Sequence, residues 1–167
     1  MTDERVGEDR LIRAARRLPR GSGIVLRHYS LPEAERRDLF ERLRPIARRR
    51  GLVLFIAGDA AQAAAWGADG SHGGAGRRYS APLTMPVHDA GQLRLAERRG
   101  ADIVFLSPLF ATRSHPGHRP LGAYRFAALA RMTRVPVMAL GGVGARHAGL
   151  IRRLGARGFG AIDALTR

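Results

Sequence analysis

Apolar and polar positions along this chain alternate between two patterns. Short runs that are apolar on both faces predict buried strands, and they are followed by stretches in which apolar residues recur every three or four positions, as in amphipathic helices. The predicted strands are Ile24–Leu26, Leu52–Ala57, a short run after Asp69, Leu83–Val87, Asp102–Leu106, Val135–Leu140 and Gly158–Ile162. The predicted helices are Glu8–Leu18, Pro32–Arg50, Ala60–Trp66, Ala90–Arg99, Tyr124–Met132 and one that opens directly after Gly141-Gly142.

Regular alternation of strand and helix predicts a parallel sheet covered by helices. The junctions Gly67-Ala68-Asp69, Gly100-Ala101-Asp102 and Gly155-Ala156-Arg157 each precede a strand, which is typical of a helix C-cap followed by return to the sheet. Repeated units with such short returns favour an α/β fold of the (β/α)8 TIM-barrel type over an open sheet, as one domain over residues 1–167. Seven strands are predicted rather than eight, so we expect the first strand and the last helix to be missing. Open sheet edges would then favour a homodimer.

Composition narrows the class of protein. The chain is 45% hydrophobic and 26% charged, it has no cysteine, and no apolar run approaches a membrane span. No signal peptide is predicted, so we expect a cytoplasmic protein without membrane contact. The net charge is +15, and every basic residue is arginine. The arginines fall on helical stretches and predict solvated helix faces rather than a nucleic-acid surface; they include Arg13, Arg16, Arg17, Arg36, Arg37, Arg42, Arg48–Arg50, Arg152 and Arg153.

Polar residues and glycines collect where the predicted strands end. In a barrel these ends share one rim, so together they predict a pocket. The residues are Arg27, His28, Asp59, His72, His88, Ser107, Thr112, Ser114, Gly141, Gly142 and Asp163. Each alone has a structural explanation, such as a helix N-cap for a carboxylate or a structural hydrogen bond for a histidine. Gly141-Gly142 favours phosphate binding, because bare backbone that opens a helix offers free N–H groups.

Several kinds of chemistry find no support in the sequence. It contains no His-Glu-x-x-His metal motif, no Gly-x-Ser-x-Gly elbow, and no Walker or dinucleotide fingerprint. The remaining chemistry is anion binding by backbone amides, by Arg27 and by hydroxyl groups. Asp59 could hold Mg²⁺ against a pyrophosphate.

Three segments carry a resemblance to the thiamine phosphate synthase and thiazole tautomerase family: A-D-I-V-F-L-S-P-L-F-A-T at 101–112, V-P-V-M-A-L-G-G-V at 135–143, and G-A-R-G-F-G at 155–160. The resemblance implies a (β/α)8 barrel. It also implies a transferase of thiamine biosynthesis that joins hydroxymethylpyrimidine pyrophosphate to thiazole phosphate, with Mg²⁺ on the departing pyrophosphate. Small phosphorylated substrates would be its partners.

Matched to the family's motifs, the chain keeps several functional positions. The resemblance implies Arg27 and His88 as catalytic residues, Asp59 as the metal ligand, and a phosphate-binding set of Arg27, Thr112, Ser114, Gly141, Gly142 and the position of Asp163. Other positions depart from the motifs; among them Arg77 replaces a second metal-binding Asp, Pro86 replaces a serine, and Asp163 replaces a phosphate-binding serine. Since a carboxylate at Asp163 would repel a phosphate, two alternatives stay open. One is thiazole tautomerisation with His88 or His115 as proton carrier, and the other is a non-catalytic phosphate-ligand-binding paralogue.

Overall fold

The computed structural model describes residues 1–74, 80–112, 117 and 119–162. Helices and strands alternate along most of these residues, as the hydrophobic pattern predicts. The helices are α1 (Glu8–Arg17), α2 (Glu33–Arg50), α3 (Ala60–Trp66), α4 (Ala90–Arg98), α5 (Gly122–Arg131) and α6 (Ala148–Arg153), the last preceded by a 3-10 turn at Ala145–His147. The strands are β1 (Gly23–Leu26), β2 (Val53–Gly58), β3 (Gly70–Gly73), β4 (Leu83–Val87), β5 (Ile103–Leu106), β6 (Val137–Ala139) and β7 (Gly158–Phe159).

The described residues form two compact units, one of the described residues up to Ala81 and one of those from Pro82 onward. The prediction of one domain over the whole chain therefore stays a prediction. Among the described residues, no helix is both long enough and apolar enough to cross a membrane.

In the first unit, β1, β2 and β3 are parallel neighbours in chain order, with Leu26 opposite Ile56 and Phe55 opposite Gly70. Helix α2 covers these strands because its apolar side chains recur with the helical period and are buried at Leu39, Phe40, Leu43 and Ala47. It ends at Gly51, which adopts the left-handed conformation of a C-cap.

In the second unit, β4, β5, β6 and β7 are likewise parallel neighbours in chain order. Their hydrophobic core includes Val87, Leu106, Leu109, Phe126 and Ile151, all nearly inaccessible to solvent. Strand β7 has two residues, so the predicted strand Gly158–Ile162 is too long.

The Gly-Ala junctions return the chain to the sheet as predicted. Gly67, Gly100 and Gly155 all have positive φ. In two of these junctions the aspartate also accepts a backbone hydrogen bond from near the start of the preceding strand. Asp69 accepts the Leu54 N–H at 2.6 Å, and Asp102 accepts the Leu83 N–H at 2.8 Å.

Two further sequence expectations are wrong. No helix opens directly at Gly141-Gly142; the first helical turn after these glycines begins at Ala145. Arg36 is not on a solvated helix face but is 9% exposed, since it lies on the same helical stripe as Leu39, Phe40 and Leu43.

Candidate functional site

Arg27 directly follows β1, and a short network fixes its backbone. Its N–H donates to Thr2 Oγ1 at 2.9 Å, while the Thr2 N–H donates to the Val25 carbonyl at 2.9 Å. The guanidinium is half-buried and lies 5.7 Å from the centre of the exposed Tyr29 ring. A cation thus stands at the carboxyl end of the first unit's leading strand, the end where parallel α/β folds bind ligands.

His28 supports this loop from inside the first unit. It is 4% exposed and has a φ of 34°, and its Nδ1 lies 2.9 Å from Thr2 Oγ1. Since Oγ1 also accepts the Arg27 N–H, the His28 ring and the Arg27 backbone share one hydroxyl oxygen. Burial lowers the pKa of His28. His28 is therefore a neutral brace of the Arg27 loop rather than an accessible rim residue.

Asp59 follows β2 and caps α3. Its Oδ1 accepts the Gln62 N–H at 2.7 Å, as a helix N-cap does, and the side chain is exposed. No described residue donates a hydrogen bond to its second carboxylate oxygen. Mg²⁺ in enzymes is often bound by one or two carboxylates together with substrate phosphates and water, so Asp59 fits the role of a single protein ligand. No group of three metal-ligating residues occurs within residues 1–74, 80–112, 117 and 119–162.

Gly74 holds the Asp59 segment in place. A Cβ atom built at Gly74 would lie 2.1 Å from the Gly58 carbonyl oxygen and 2.5 Å from Asp59 Cα. Only glycine permits such close packing of two backbone segments. Sequence reasoning missed this residue; the sole available signal was the glycine pair at the end of β3.

His72 lies in β3 and is 4% exposed. Burial and, secondarily, the positive charge of Arg27 lower the pKa of His72 to about 4. The imidazole is therefore neutral near pH 7, and Arg27 supplies the positive charge in this region.

His88 and Ser107 meet in the second unit, at the ends of β4 and β5. His88 Nδ1 lies 2.9 Å from the Ser107 carbonyl oxygen and 3.2 Å from Ser107 Oγ. A carbonyl oxygen only accepts, so Nδ1 carries a proton, and in the uncharged tautomer the lone pair is on Nε2. Because His88 is exposed, this Nε2 is available as an acceptor or a base.

Gly141 and Gly142 follow β6 with φ of 89° and 65°. A Cβ at Gly141 would lie 2.6 Å from Pro108 Cβ, and one at Gly142 would lie 2.6 Å from the Ala111 carbonyl oxygen. Close packing against the segment after β5 thus requires glycine at both positions, whether or not a ligand binds. Within the described part of the chain, no acceptor meets the N–H groups of Gly141, Gly142 or Val143. These amides are candidate donors to an anion.

The segment after Gly142 is fastened by His147. The Gly144 N–H donates to His147 Nδ1 at 3.1 Å, and the His147 ring lies 5.1 Å from the Phe110 ring. Sequence reasoning did not single out His147, although it lies only three positions from the glycine it contacts.

The structure says less about the remaining predicted site residues. Thr112, which directly follows Ala111, is half-buried. Pro86 lies in β4, opposite Phe105 of β5. Arg77, Ser114, His115 and Asp163 lie outside the described residues. The structure thus groups Arg27 with His28 and His72, Asp59 with Gly74, His88 with Ser107, and Gly141-Gly142 with the segment after β5.

Known proteins resemble this chain over most of its length. The family profile of thiamine monophosphate synthase matches residues 1–165. A thiamine-phosphate synthase of Chlorobium luteolum is 33% identical over 156 residues, covering 86% of this chain and 73% of that protein. One from Chloroflexus aurantiacus is 28% identical over 179 residues, covering 99% of this chain and 83% of that protein.

Solved structures show the same fold. A thiamine phosphate pyrophosphorylase from Pyrococcus furiosus superimposes with a TM-score of 0.81 at 22% identity, covering 99% of this chain and 84% of that one. The chain belongs to the thiamine monophosphate synthase family, and the predicted α/β fold of TIM-barrel type is confirmed.

Proposed function

We propose that the chain joins hydroxymethylpyrimidine pyrophosphate to thiazole phosphate and releases pyrophosphate. The match to the synthase family over residues 1–165 is the observation that carries this proposal. The geometry of each unit supports it: in the first unit Arg27 follows β1 and Asp59 follows β2, and in the second unit the N–H groups of Gly141 and Gly142 follow β6.

The proposed reaction forms one bond and breaks one. The carbon–oxygen bond of the pyrimidine methylene breaks, and both electrons leave with pyrophosphate. The lone pair of the thiazole nitrogen then forms the new carbon–nitrogen bond, giving a thiazolium without any proton transfer. Catalysis of this kind depends on positioning and on stabilising the charge of the leaving group.

Each group has a proposed role. Arg27 binds the pyrophosphate, and a Mg²⁺ ion held by Asp59 would neutralise part of its charge. The N–H groups of Gly141 and Gly142 donate to the thiazole phosphate, and the hydroxyl of Thr112 donates to the pyrophosphate. Ser114 has the same proposed role as Thr112, and His88 lines the pocket with its Nε2. Asp163 stays a predicted member of the phosphate site.

The proposed reactants are small water-soluble phosphate esters. We accordingly propose a cytoplasmic location, and the homodimer stays a prediction that light scattering would test.

The test is formation of thiamine phosphate from both substrates with Mg²⁺, with Asp59→Asn as the diagnostic variant. Asparagine keeps the α3 cap but removes the charge, so kcat/KM should fall on the order of 10²-fold with the melting temperature nearly unchanged. Asp89→Asn is the matched control, since Asp89 caps α4 by the same contact, accepting the Gln92 N–H at 2.8 Å. Asp89→Asn should leave activity intact.

Other outcomes would contradict the proposal. Absence of thiamine phosphate together with tight binding of pyrophosphate would select the non-catalytic binder. Interconversion of thiazole tautomers that is lost in His88→Ala would select the tautomerase, which the free His88 Nε2 makes the second candidate.

A further inference from the structure

Arg36 is the one arginine that is buried among the described residues. It lies in the first turn of α2, on the stripe that faces the strands of the first unit. Its Nη2 donates to the Leu26 carbonyl at 3.4 Å and also to the Ala57 carbonyl. A helix residue thus binds the backbone of two strands at once.

These two carbonyls lie where the candidate site begins. Leu26 is opposite Ile56 in the parallel register, so Ala57 is one position further along β2. The Leu26 carbonyl belongs to the peptide that carries the Arg27 N–H. The Ala57 carbonyl belongs to the peptide that leads through Gly58 to Asp59. The guanidinium therefore bridges the backbone that places Arg27 and the backbone that places Asp59.

Two aromatic rings complete the surroundings of Arg36. Its guanidinium carbon lies 5.9 Å from the centre of the Tyr29 ring and 5.5 Å from that of Trp66. Tyr29 belongs to the Arg27 loop, and Trp66 ends the helix that Asp59 caps. Both segments are thus contacted a second time, through cation–π interactions that are stronger where water is excluded.

Burial of this charge opposes stability. A buried guanidinium loses hydration, and its Nε has no hydrogen-bond partner among the described residues. Burial also lowers the pKa of Arg36, although its usual value is so high that the group stays charged. An apolar side chain on this stripe would avoid that cost, as Leu39 and Leu43 do. Such a cost is expected where a residue serves function rather than stability, here through the contacts of the planar guanidinium at the strand ends.

We propose that Arg36 is a positioning residue that fixes Arg27 and Asp59 relative to each other. The inference rests on the proposed function in one respect, that Arg27 and Asp59 bind pyrophosphate and Mg²⁺. A cation and a metal ligand that share one pyrophosphate must keep their spacing, because small displacements of binding groups lower rates steeply. Arginine suits the task better than lysine, since its planar fork presents several donors in fixed directions.

The test compares Arg36→Met with two variants of the same helix. Leu43→Ala removes a fully buried side chain of α2 and serves as a control for lost stability. Arg42→Met removes an exposed arginine that pairs with Glu8 and controls for lost charge. Kinetics are measured well below all melting temperatures. Arg36→Met should raise the KM for the pyrimidine pyrophosphate and the Mg²⁺ concentration for half-maximal rate, each by about tenfold or more. Arg36→Lys should recover part of this loss, and the two controls should shift neither quantity.

A second readout needs neither substrate nor activity. Amide hydrogen exchange in the free protein should become faster at Arg27–Tyr29 and at Gly58–Ala60 in Arg36→Met, relative to Leu43→Ala. If Arg36→Met does not fold, Arg36→Lys carries the same comparison. Unchanged exchange in both segments would overturn the inference, as would equal changes of KM and Mg²⁺ dependence in Leu43→Ala. Faster exchange in both segments of a chain that makes no thiamine phosphate would uphold the positioning role and refute only the proposed function.

Discussion

Replacement of Gly142 by alanine tests whether the glycines after β6 are required by packing. Gly142 has a φ of 65°, and an added Cβ would lie 2.6 Å from the Ala111 carbonyl oxygen and 2.8 Å from Phe110 Cβ. Gly122, in the same unit, has a φ of 68° with nothing within 4 Å of its added Cβ. Both alanine variants carry the left-handed backbone cost of about 1–2 kcal/mol. Only Gly142→Ala adds overpacking against backbone, at about 1–3 kcal/mol.

The difference between the two variants isolates the close contact. Gly142→Ala should melt about 2–12 °C below Gly122→Ala, from about 1–3 kcal/mol at about 2–4 °C per kcal/mol for a chain of this size. Differential scanning calorimetry measures both temperatures. Displacement of the Gly142 N–H should also raise the KM for thiazole phosphate in that variant alone. Equal melting temperatures for the two variants would refute the packing argument.

Two further predictions follow from the first unit. The free energy of unfolding should decrease as pH falls from about 6.5 to about 4. In this range His72 of the unfolded chain binds a proton, while the buried ring, with a pKa of about 4, does not. Urea midpoints measured against pH should show a flatter curve in His72→Gln, and an unchanged curve would contradict the assignment. Gly74→Ala should push the Gly58 carbonyl away and raise the Mg²⁺ requirement by displacing Asp59. Gly7→Ala, where an added Cβ has nothing within 4 Å, is the control, and an equal Mg²⁺ requirement in both would count against the role of Gly74.

Much of the fold could be predicted from local pattern. The helix Ala60–Trp66 has the predicted bounds, and the strand Leu83–Val87 does as well. The Gly-Ala junctions could be predicted because the residue that ends such a helix adopts the left-handed conformation, which favours glycine, and the chain then returns to the sheet. Strand lengths were less predictable, because apolar residues continue past the last paired position in the run Val135–Leu140.

The candidate site was predictable in its location but less in its contacts. Polar residues at strand ends could be identified because parallel strands bring their carboxyl ends to one edge. Arg36 could have been identified from the helical period, since it lies three positions before Leu39 and four before Phe40. The abundance of arginines on solvated faces led to its assignment among them. Nothing local identifies its acceptors, which are ten and twenty-one residues away along the chain.

The sequence by itself determined the alternation of strands and helices, the glycine junctions and the family, because these depend on periodicity and on residues close together in the chain. Tertiary structure alone decided which groups serve the site and which support it. Gly74 is required because the backbone at Gly58 lies against it, and the Gly141-Gly142 pair because the segment after β5 packs against its bare side. His72 is neutral because it is buried near Arg27. Such properties depend on distances between remote segments, which no local pattern contains.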